Sequence, residues 1–249
     1  MNIIVQNLAV EYQDDGVGKV ILFLHGWQDD LHTFDVLATF LSQKNRVVRL
    51  DFPGFGRSET PAEAWDLDDY VRFVSDFIKK LDIQVDVLVG HSFGGRIIMK
   101  GIATEKLRAR KLVLIGSAGI ARRHTARNTI LWILAKLGWL IISVPPLIFW
   151  RDKIRKQVYG LIGSDYLDAG TLKETFLNII SEDLGECAKK IITPTLLIWG
   201  ADDTETPLSD GERLSRLIHN SKLKVIDGAG HFVHRERPQE TARLIQAFL

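Results

Sequence analysis

The sequence GHSFG at residues 90–94 lies between a strand-like run, 85–89, and a helix-like run, 96–103. This strand-turn-helix context is what a nucleophile elbow requires, because its glycines allow neighbouring backbones to approach where a Cβ would collide. The hydroxyl of Ser92 then stands clear of the sheet at the positive end of a helix. The pattern predicts that Ser92 is a catalytic nucleophile. An isolated pentapeptide of this kind also occurs in ordinary turns, so the prediction depends on partners elsewhere in the chain.

Two partners follow, each directly after a strand-like run. His231 ends the loop GAGH after the run at 223–226, and Asp203 lies in the loop WGADDTETP after the run at 195–198. Parallel sheets build their sites just beyond the carboxyl ends of their strands, so these loops are expected to meet the serine. The sequence therefore predicts a triad of Ser92, Asp203 and His231 in the chain order nucleophile, acid, histidine.

This order resembles that of the α/β-hydrolase-fold enzymes of the esterase, lipase and carbon–carbon hydrolase group, and the resemblance covers nearly the whole sequence. FLHGW at 23–27 resembles the family's HG loop, and DFPGFGRS at 51–58 resembles its D-x-P-G-x-G-x-S loop. The resemblance implies that the backbone N–H groups of Trp27 and Phe93 form an oxyanion hole. Two fixed donors aimed at a developing oxyanion lower the barrier substantially in a water-poor site.

The acid has competitors within the same loop. The family spacing G-x-x-D, counted from Gly200, selects Asp203. Asp202 is the serious rival, and Glu205 is a more distant third. Haloalkane dehalogenases and epoxide hydrolases of the same fold have an aspartate at the elbow. The serine of this chain therefore argues against those two reactions.

The hydrophobic pattern predicts an α/β fold with a mostly parallel, doubly wound sheet of about eight strands, flanked by helices and carrying an inserted helical cap. Apolar residues recur at helical spacing over 68–81, and 240–249 closes the chain in the same way. We expect a core domain formed by 1–117 and 192–249 and a cap formed by 118–191. The strand-like runs lie near 3–12, 20–24, 46–50, 86–90, 111–115, 195–199 and 222–226.

The predicted cap is basic and apolar in alternating blocks. Residues 122–159 carry eight basic residues against one acidic residue, whereas the whole chain has a net charge of +1. The basic residues are Arg122, Arg123, Arg127, Lys136, Arg151, Lys153, Arg155 and Lys156. Lys136 and the Pro145-Pro146 pair interrupt the apolar stretch, which argues against a transmembrane helix.

Two interpretations of the cap remain open. It can line a substrate pocket, with Trp132, Trp139, Phe149 and Trp150 as the substrate-binding residues, or it can lie on a lipid surface. The basic cluster can likewise dock an anionic partner, either an acyl carrier or a membrane surface, or be a solvated face.

Composition excludes several classes of protein. The single cysteine, Cys187, rules out an internal disulfide, and no run of Cys and His has zinc-like spacing. We therefore expect no metal and no cofactor, and a small-molecule ester as substrate rather than a nucleic acid. The N-terminus has no basic region or apolar segment of a signal peptide, so a cytoplasmic location is expected.

The predicted function is hydrolysis of carboxylic esters with short to medium, apolar acyl chains through an acyl-enzyme. Alternatives are an esterase for acyl groups on a carrier protein, a meta-cleavage-type C–C bond hydrolase, a lipid-interface lipase and a non-catalytic binding protein. The carrier-protein alternative follows from a likeness to pimeloyl-carrier-protein methyl ester esterases, from which the chain departs at His91 and Phe93.

Overall fold

The structure, a computed structural model, describes residues 1–120 and 172–249. Within them lies an eight-stranded sheet in the order β1-β2-β4-β3-β5-β6-β7-β8. The strands are β1 (Asn2–Val5), β2 (Leu8–Asp15), β3 (Lys19–Leu24), β4 (Asn45–Leu50), β5 (Val85–His91), β6 (Lys111–Ile115), β7 (Thr195–Gly200) and β8 (Ser221–Ile226).

Strands β3 to β8 pair in parallel, and β2 joins β4 as an antiparallel neighbour. The central strands read as nearly continuous Val, Ile and Leu, and residues such as Ile21 and Leu22 are fully buried on opposite faces. Burial of both faces is characteristic of a parallel sheet covered by helices on each side. The predicted fold class is confirmed.

The first strand of the prediction was wrong in one respect. The run near 3–12 is not one strand but an antiparallel hairpin of β1 and β2, in which Val5 pairs with Leu8. Gln6 and Asn7 form the two-residue turn with φ values of 51° and 63°. Such loops need positive φ at both central positions, and Gln-Asn is a weaker sequence signal than Asn-Gly.

Helices cover both faces of the sheet. The described part of the chain contains a 3₁₀ turn (Leu31–Phe34), α1 (Asp35–Leu41), α2 (Leu67–Lys80), α3 (Phe93–Ala103), α4 (Lys173–Ser181), α5 (Gly185–Lys190), α6 (Leu208–Leu217), α7 (Val233–Glu236) and α8 (Pro238–Phe248). Helices α2, α3, α5 and α6 contribute to one hydrophobic cluster, and α1, α7 and α8 contribute to the other. The sheet therefore separates two cores.

Helices α4 and α5 lie in the last part of the predicted cap. Ile179, Leu184 and Ala188 are buried in the same cluster as α3, so this part packs directly on the core. The boundaries of the cap stay a prediction. None of the described helices has the length and apolarity needed to cross a bilayer.

Candidate active site

The elbow holds Ser92 in a backbone conformation that side chains seldom adopt, with φ 47° and ψ −107°. Close packing on both sides enforces this turn. A Cβ on Gly94 would lie 2.1 Å from the carbonyl oxygen of Leu24, and one on Gly90 would lie 2.7 Å from the backbone of Gly94. The Gly94 N–H also donates to the carbonyl of His25 at 3.0 Å. The strain at Ser92 is thus stabilised by neighbouring strands, which is typical of functional turns.

The two predicted partners of the serine meet in the folded chain. His231 Nδ1 and Asp203 Oδ2 lie 2.9 Å apart, and both residues are buried. Ser92 and His231 line the same two cavities. Because β5, β7 and β8 end at the same edge of the sheet, loops more than a hundred residues apart in sequence converge there.

The Asp203 carboxylate is saturated with hydrogen bonds. Its Oδ1 accepts the backbone N–H groups of Glu205 at 2.9 Å and Thr206 at 2.8 Å, and its Oδ2 accepts the Thr206 hydroxyl at 2.8 Å. Burial alone would raise the pKa of Asp203, but the hydrogen bond and charge of His231, together with the Thr206 bonds, lower it. Asp203 is therefore held as a carboxylate beside the imidazole.

Thr206 was not identified from the sequence. Its hydroxyl lies 3.2 Å from His231 Nδ1 and 3.1 Å from the carbonyl oxygen of Gly116, so it joins the acid, the histidine and the loop after β6. The available signal was its position three residues after Asp203, the spacing at which an Asp side chain at a helix N-cap accepts a backbone N–H.

The rival carboxylates occupy different positions. Asp202 is exposed, and its backbone N–H donates to the carbonyl of Ala229 at 2.9 Å. Glu205 is also exposed, but its Oε2 lies 3.4 Å from His231 Nε2, on the opposite side of the ring from Asp203. Of the three candidates only Asp203 reaches Nδ1 in this structure, which is the geometry a triad acid needs.

The loop predicted to supply the oxyanion hole is braced by His25. Its ring accepts the backbone N–H of Phe52 at Nε2, 2.9 Å away, and donates from Nδ1 to the carbonyl of Gly26 at 2.7 Å. Burial lowers the pKa of His25, which keeps the ring in the neutral form that these two bonds require. Trp27 is the last residue of this loop, and Phe93 is the first residue of α3, where N–H groups have no partner within the helix. Their role as oxyanion donors stays a prediction.

The cavity beside Ser92 has a volume of about 160 Å³. Its apolar lining comes from Trp27, Phe93, Phe176, Ile179 and Ile180. The rings of Trp27 and Phe176 lie 5.1 Å apart, so α4 forms one wall. The sequence did not identify these α4 residues as pocket-lining, because the same apolar spacing also describes a core helix. The predicted substrate-binding residues Trp132, Trp139, Phe149 and Trp150 lie outside the described residues, as does the basic cluster.

Arg96 fixes this wall to the elbow helix. Its Nη2 donates to the backbone carbonyls of Ile179 and Glu182 at the carboxyl end of α4, the second bond measuring 2.6 Å. Burial lowers the pKa of Arg96 to about 10. The guanidinium remains charged at neutral pH and stabilises a helix end that carries partial negative charge.

Comparison with known proteins agrees with this architecture. The model of the alpha/beta hydrolase family matches residues 21–244, and the chain belongs to this family. It is 27% identical over 261 residues to the uncharacterized hydrolase YugF of Bacillus subtilis (strain 168), covering 98% of this chain and 94% of YugF. It is 28% identical over 253 residues to the human monoacylglycerol lipase ABHD6, covering 92% of this chain and 74% of ABHD6.

A solved structure shares the fold. The meta-cleavage product hydrolase CumD from Pseudomonas fluorescens IP01 superposes with a TM-score of 0.75 at 23% identity, covering 100% of this chain and 96% of CumD. Such a likeness establishes the fold and leaves the reaction to be argued from the site.

Proposed function

We propose that this α/β hydrolase is a serine esterase that cleaves carboxylic esters with short to medium, apolar acyl chains. The observation that carries the proposal is the 2.9 Å contact of His231 Nδ1 with a buried, fully hydrogen-bonded Asp203, at a cavity that Ser92 also lines. A carboxylate on Nδ1 leaves Nε2 as the basic nitrogen and selects the tautomer that a general base needs.

In the proposed reaction, His231 Nε2 takes the proton of the Ser92 hydroxyl while the oxygen attacks the ester carbonyl. The N–H groups of Trp27 and Phe93 stabilise the oxyanion, and His231 returns its proton to the departing alcohol. Water, activated by the same imidazole, then hydrolyses the acyl-enzyme. Asp203 stays ionised throughout and stabilises the imidazolium.

The lining of the cavity supports an apolar acyl group. Phe176, Ile179 and Ile180 provide apolar walls, and the volume of about 160 Å³ lies below the roughly 300 Å³ at which pockets for drug-sized ligands begin. Short chains fit such a space better than long ones. The similarity to a monoacylglycerol lipase adds glycerol monoesters to the substrates worth testing.

A single substrate panel tests the proposal. Purified enzyme and its Ser92→Ala variant are assayed on p-nitrophenyl esters from acetate to palmitate, on monoacylglycerols and on a vinylogous diketone of the meta-cleavage type. We expect kcat/KM to peak among the shorter esters and to vanish with Ser92→Ala. Turnover of the diketone alone would replace the esterase proposal with C–C bond hydrolysis. Turnover of long-chain substrates alone would overturn the acyl-length assignment.

We also propose an anionic partner, an acyl carrier or a membrane surface, on the strength of the basic sequence of 122–159. Long-range attraction of this kind is screened by salt over a Debye length of about 8 Å at physiological ionic strength. Reversing the charge of Arg123, Arg127 and Arg155 should lower turnover of carrier-linked or vesicle-borne esters and leave a small neutral ester unchanged. A parallel change for all substrates would contradict docking.

A further inference from the structure

Three buried side-chain atoms behind the elbow have no hydrogen-bond partner among the described residues. They are Asp29 Oδ2, His91 Nδ1 and His234 Nδ1, and ligand atoms of these three residues lie within 4.8 Å of one another. His91 and His234 are each only 1% exposed. Leaving one buried polar atom unpaired is costly, and three at one point call for an explanation.

The residues reach this point from three separate segments. Asp29 lies in the loop after β3, His91 ends β5 next to Ser92, and His234 lies in α7, three residues after His231. No sequence spacing links them. We refer to the three side chains as the rear cluster.

The other polar atoms of the rear cluster are held in place. His91 Nε2 lies 3.1 Å from the carbonyl oxygen of His231, and a carbonyl only accepts, so Nε2 carries the proton and Nδ1 presents a lone pair. His234 Nε2 contacts the Thr33 hydroxyl at 2.9 Å. Asp29 Oδ1 accepts the N–H of Asp30 at 3.0 Å. This arrangement is the one found around metal ligands, whose second ring nitrogen is oriented by an outer partner.

We propose that the rear cluster is a binding site for a divalent transition-metal ion of the zinc class. Two imidazole nitrogens and one carboxylate oxygen are ligands that Zn²⁺, Co²⁺ and Ni²⁺ accept. One cation pairs all three atoms when His234 carries its proton on Nε2 and donates it to the Thr33 hydroxyl.

His91 connects the rear cluster with the predicted active site. It lines a second cavity of about 190 Å³ together with Ser92 and His231, while its Nδ1 is itself buried. A bound ion would tie the loop after β3 to the elbow and to the histidine segment, and it would polarise the His91 ring that donates to the backbone of His231. The ion is therefore a positioning element and takes no part in bond breaking.

Metal binding is measured on full-length protein freed of metal with a chelator. Titration calorimetry with ZnCl₂ and elemental analysis after dialysis should give one tightly held ion per chain. Asp29→Asn and His234→Gln should each weaken the affinity at least about ten-fold, since even outer-shell changes commonly cost that much. Asp30→Asn is the matched control, because the neighbouring carboxylate lies outside the cluster, and it should retain the wild-type affinity.

The position of the ion decides the assignment. Crystals soaked in ZnCl₂ should show an anomalous difference peak between Asp29, His91 and His234. A peak only at His231 and Glu205 or at Cys187, or an ordered water in the cluster without anomalous signal, overturns the proposal. Equal affinity in Asp29→Asn and wild type overturns it as well. Because Asp29 is only half-buried, that variant decides the question even where His234→Gln fails to fold.

Discussion

Two histidine–carboxylate groups lie close together at the carboxyl edge of the parallel strands, and they differ in how their polar atoms are hydrogen-bonded. On one side, Asp203 accepts hydrogen bonds from Glu205, Thr206 and His231 on both oxygens. On the other side, Asp29 Oδ2 lies among two imidazole nitrogens and has no donor among the described residues. Described residues supply the partners of the first group, and the second is the site where we propose a bound metal ion.

His91 connects the two groups. Its ring centroid lies 4.7 Å from that of His231 and 4.4 Å from that of His234. Its Nε2 donates to the backbone carbonyl of His231, so the rear cluster contacts the segment that carries the proposed general base. A buried carboxylate therefore indicates a binding site only when the protein leaves one of its oxygens without a hydrogen-bond donor.

The largest expected effect is at the nucleophile. Ser92→Ala should lower kcat by about a million-fold while the fold is retained, because members of a triad act as a unit. Kinetics with a p-nitrophenyl ester and a circular dichroism spectrum measure the two quantities. Substantial activity in the purified variant would show that Ser92 is not the nucleophile, and the Asp203–His231 pair would then lose its proposed role.

The acid should matter almost as much. Asp203→Asn should lower kcat by roughly ten thousand-fold, since an amide stabilises the wrong imidazole tautomer. Asp202→Asn serves as the control, because Asp202 is exposed and does not contact His231 Nδ1, and should retain nearly full activity. The reverse pattern in steady-state assays would transfer the role of acid to Asp202.

Substitution of Thr206 tests how much the hydrogen bonds to the Asp203 carboxylate contribute to activity. Thr206→Val keeps the shape but removes the hydroxyl bonded to Asp203 Oδ2, and we expect kcat/KM to fall roughly ten- to a hundred-fold, as for the loss of a charge-assisted hydrogen bond. Thr206→Ser should restore most of the activity. Equal activity of Val and Ser variants would show that the hydroxyl is dispensable.

A smaller effect is expected on stability in acid. The pKa of Asp203 is lowered in the folded protein, so its contribution to the free energy of unfolding is present above the unfolded value of about 3.9 and is lost as pH falls through the folded value. Denaturant titrations should show a shallower loss of stability below about pH 4 in Asp203→Asn than in Asp202→Asn. If the unfolding free energy of both variants fell equally steeply with pH, the partners of Asp203 would not stabilise its ionised form in the folded protein.

The smallest effect is expected at the rear cluster without metal. Asp29→Asn should change the free energy of unfolding by less than about 1 kcal/mol, because Oδ2 makes no hydrogen bond that could be lost. With ZnCl₂, the melting temperature of the wild type should rise more than that of the variant, since the stabilisation grows with the affinity of the folded state for the ligand. If the metal-free variant lost several kcal/mol of unfolding free energy, Asp29 would already have hydrogen-bond partners in the protein, as Asp203 does.

Much of the fold could be predicted from local patterns. Continuous Val, Ile and Leu runs alternating with helical periodicity identify a mostly parallel sheet. Among the strands that the structure describes, the hairpin at Gln6 and Asn7 was missed because its turn residues give a weak signal. The elbow around Ser92 was equally visible, since its glycines are required by contacts within a few residues of the serine or directly across the sheet.

The sequence by itself determined which residue types follow which strands, and thereby the chain order of Ser92, Asp203 and His231. The family spacing also favoured Asp203 over Asp202, and the structure shows the contact of Asp203 with the imidazole. Only the tertiary structure decided that Thr206 bridges acid and histidine and that Asp29, His91 and His234 converge. Within a loop, a shift of one residue changes which side chain points toward the site. Contacts between distant loops depend on how whole strands and helices pack. Such contacts have no period and no spacing that a single sequence can display.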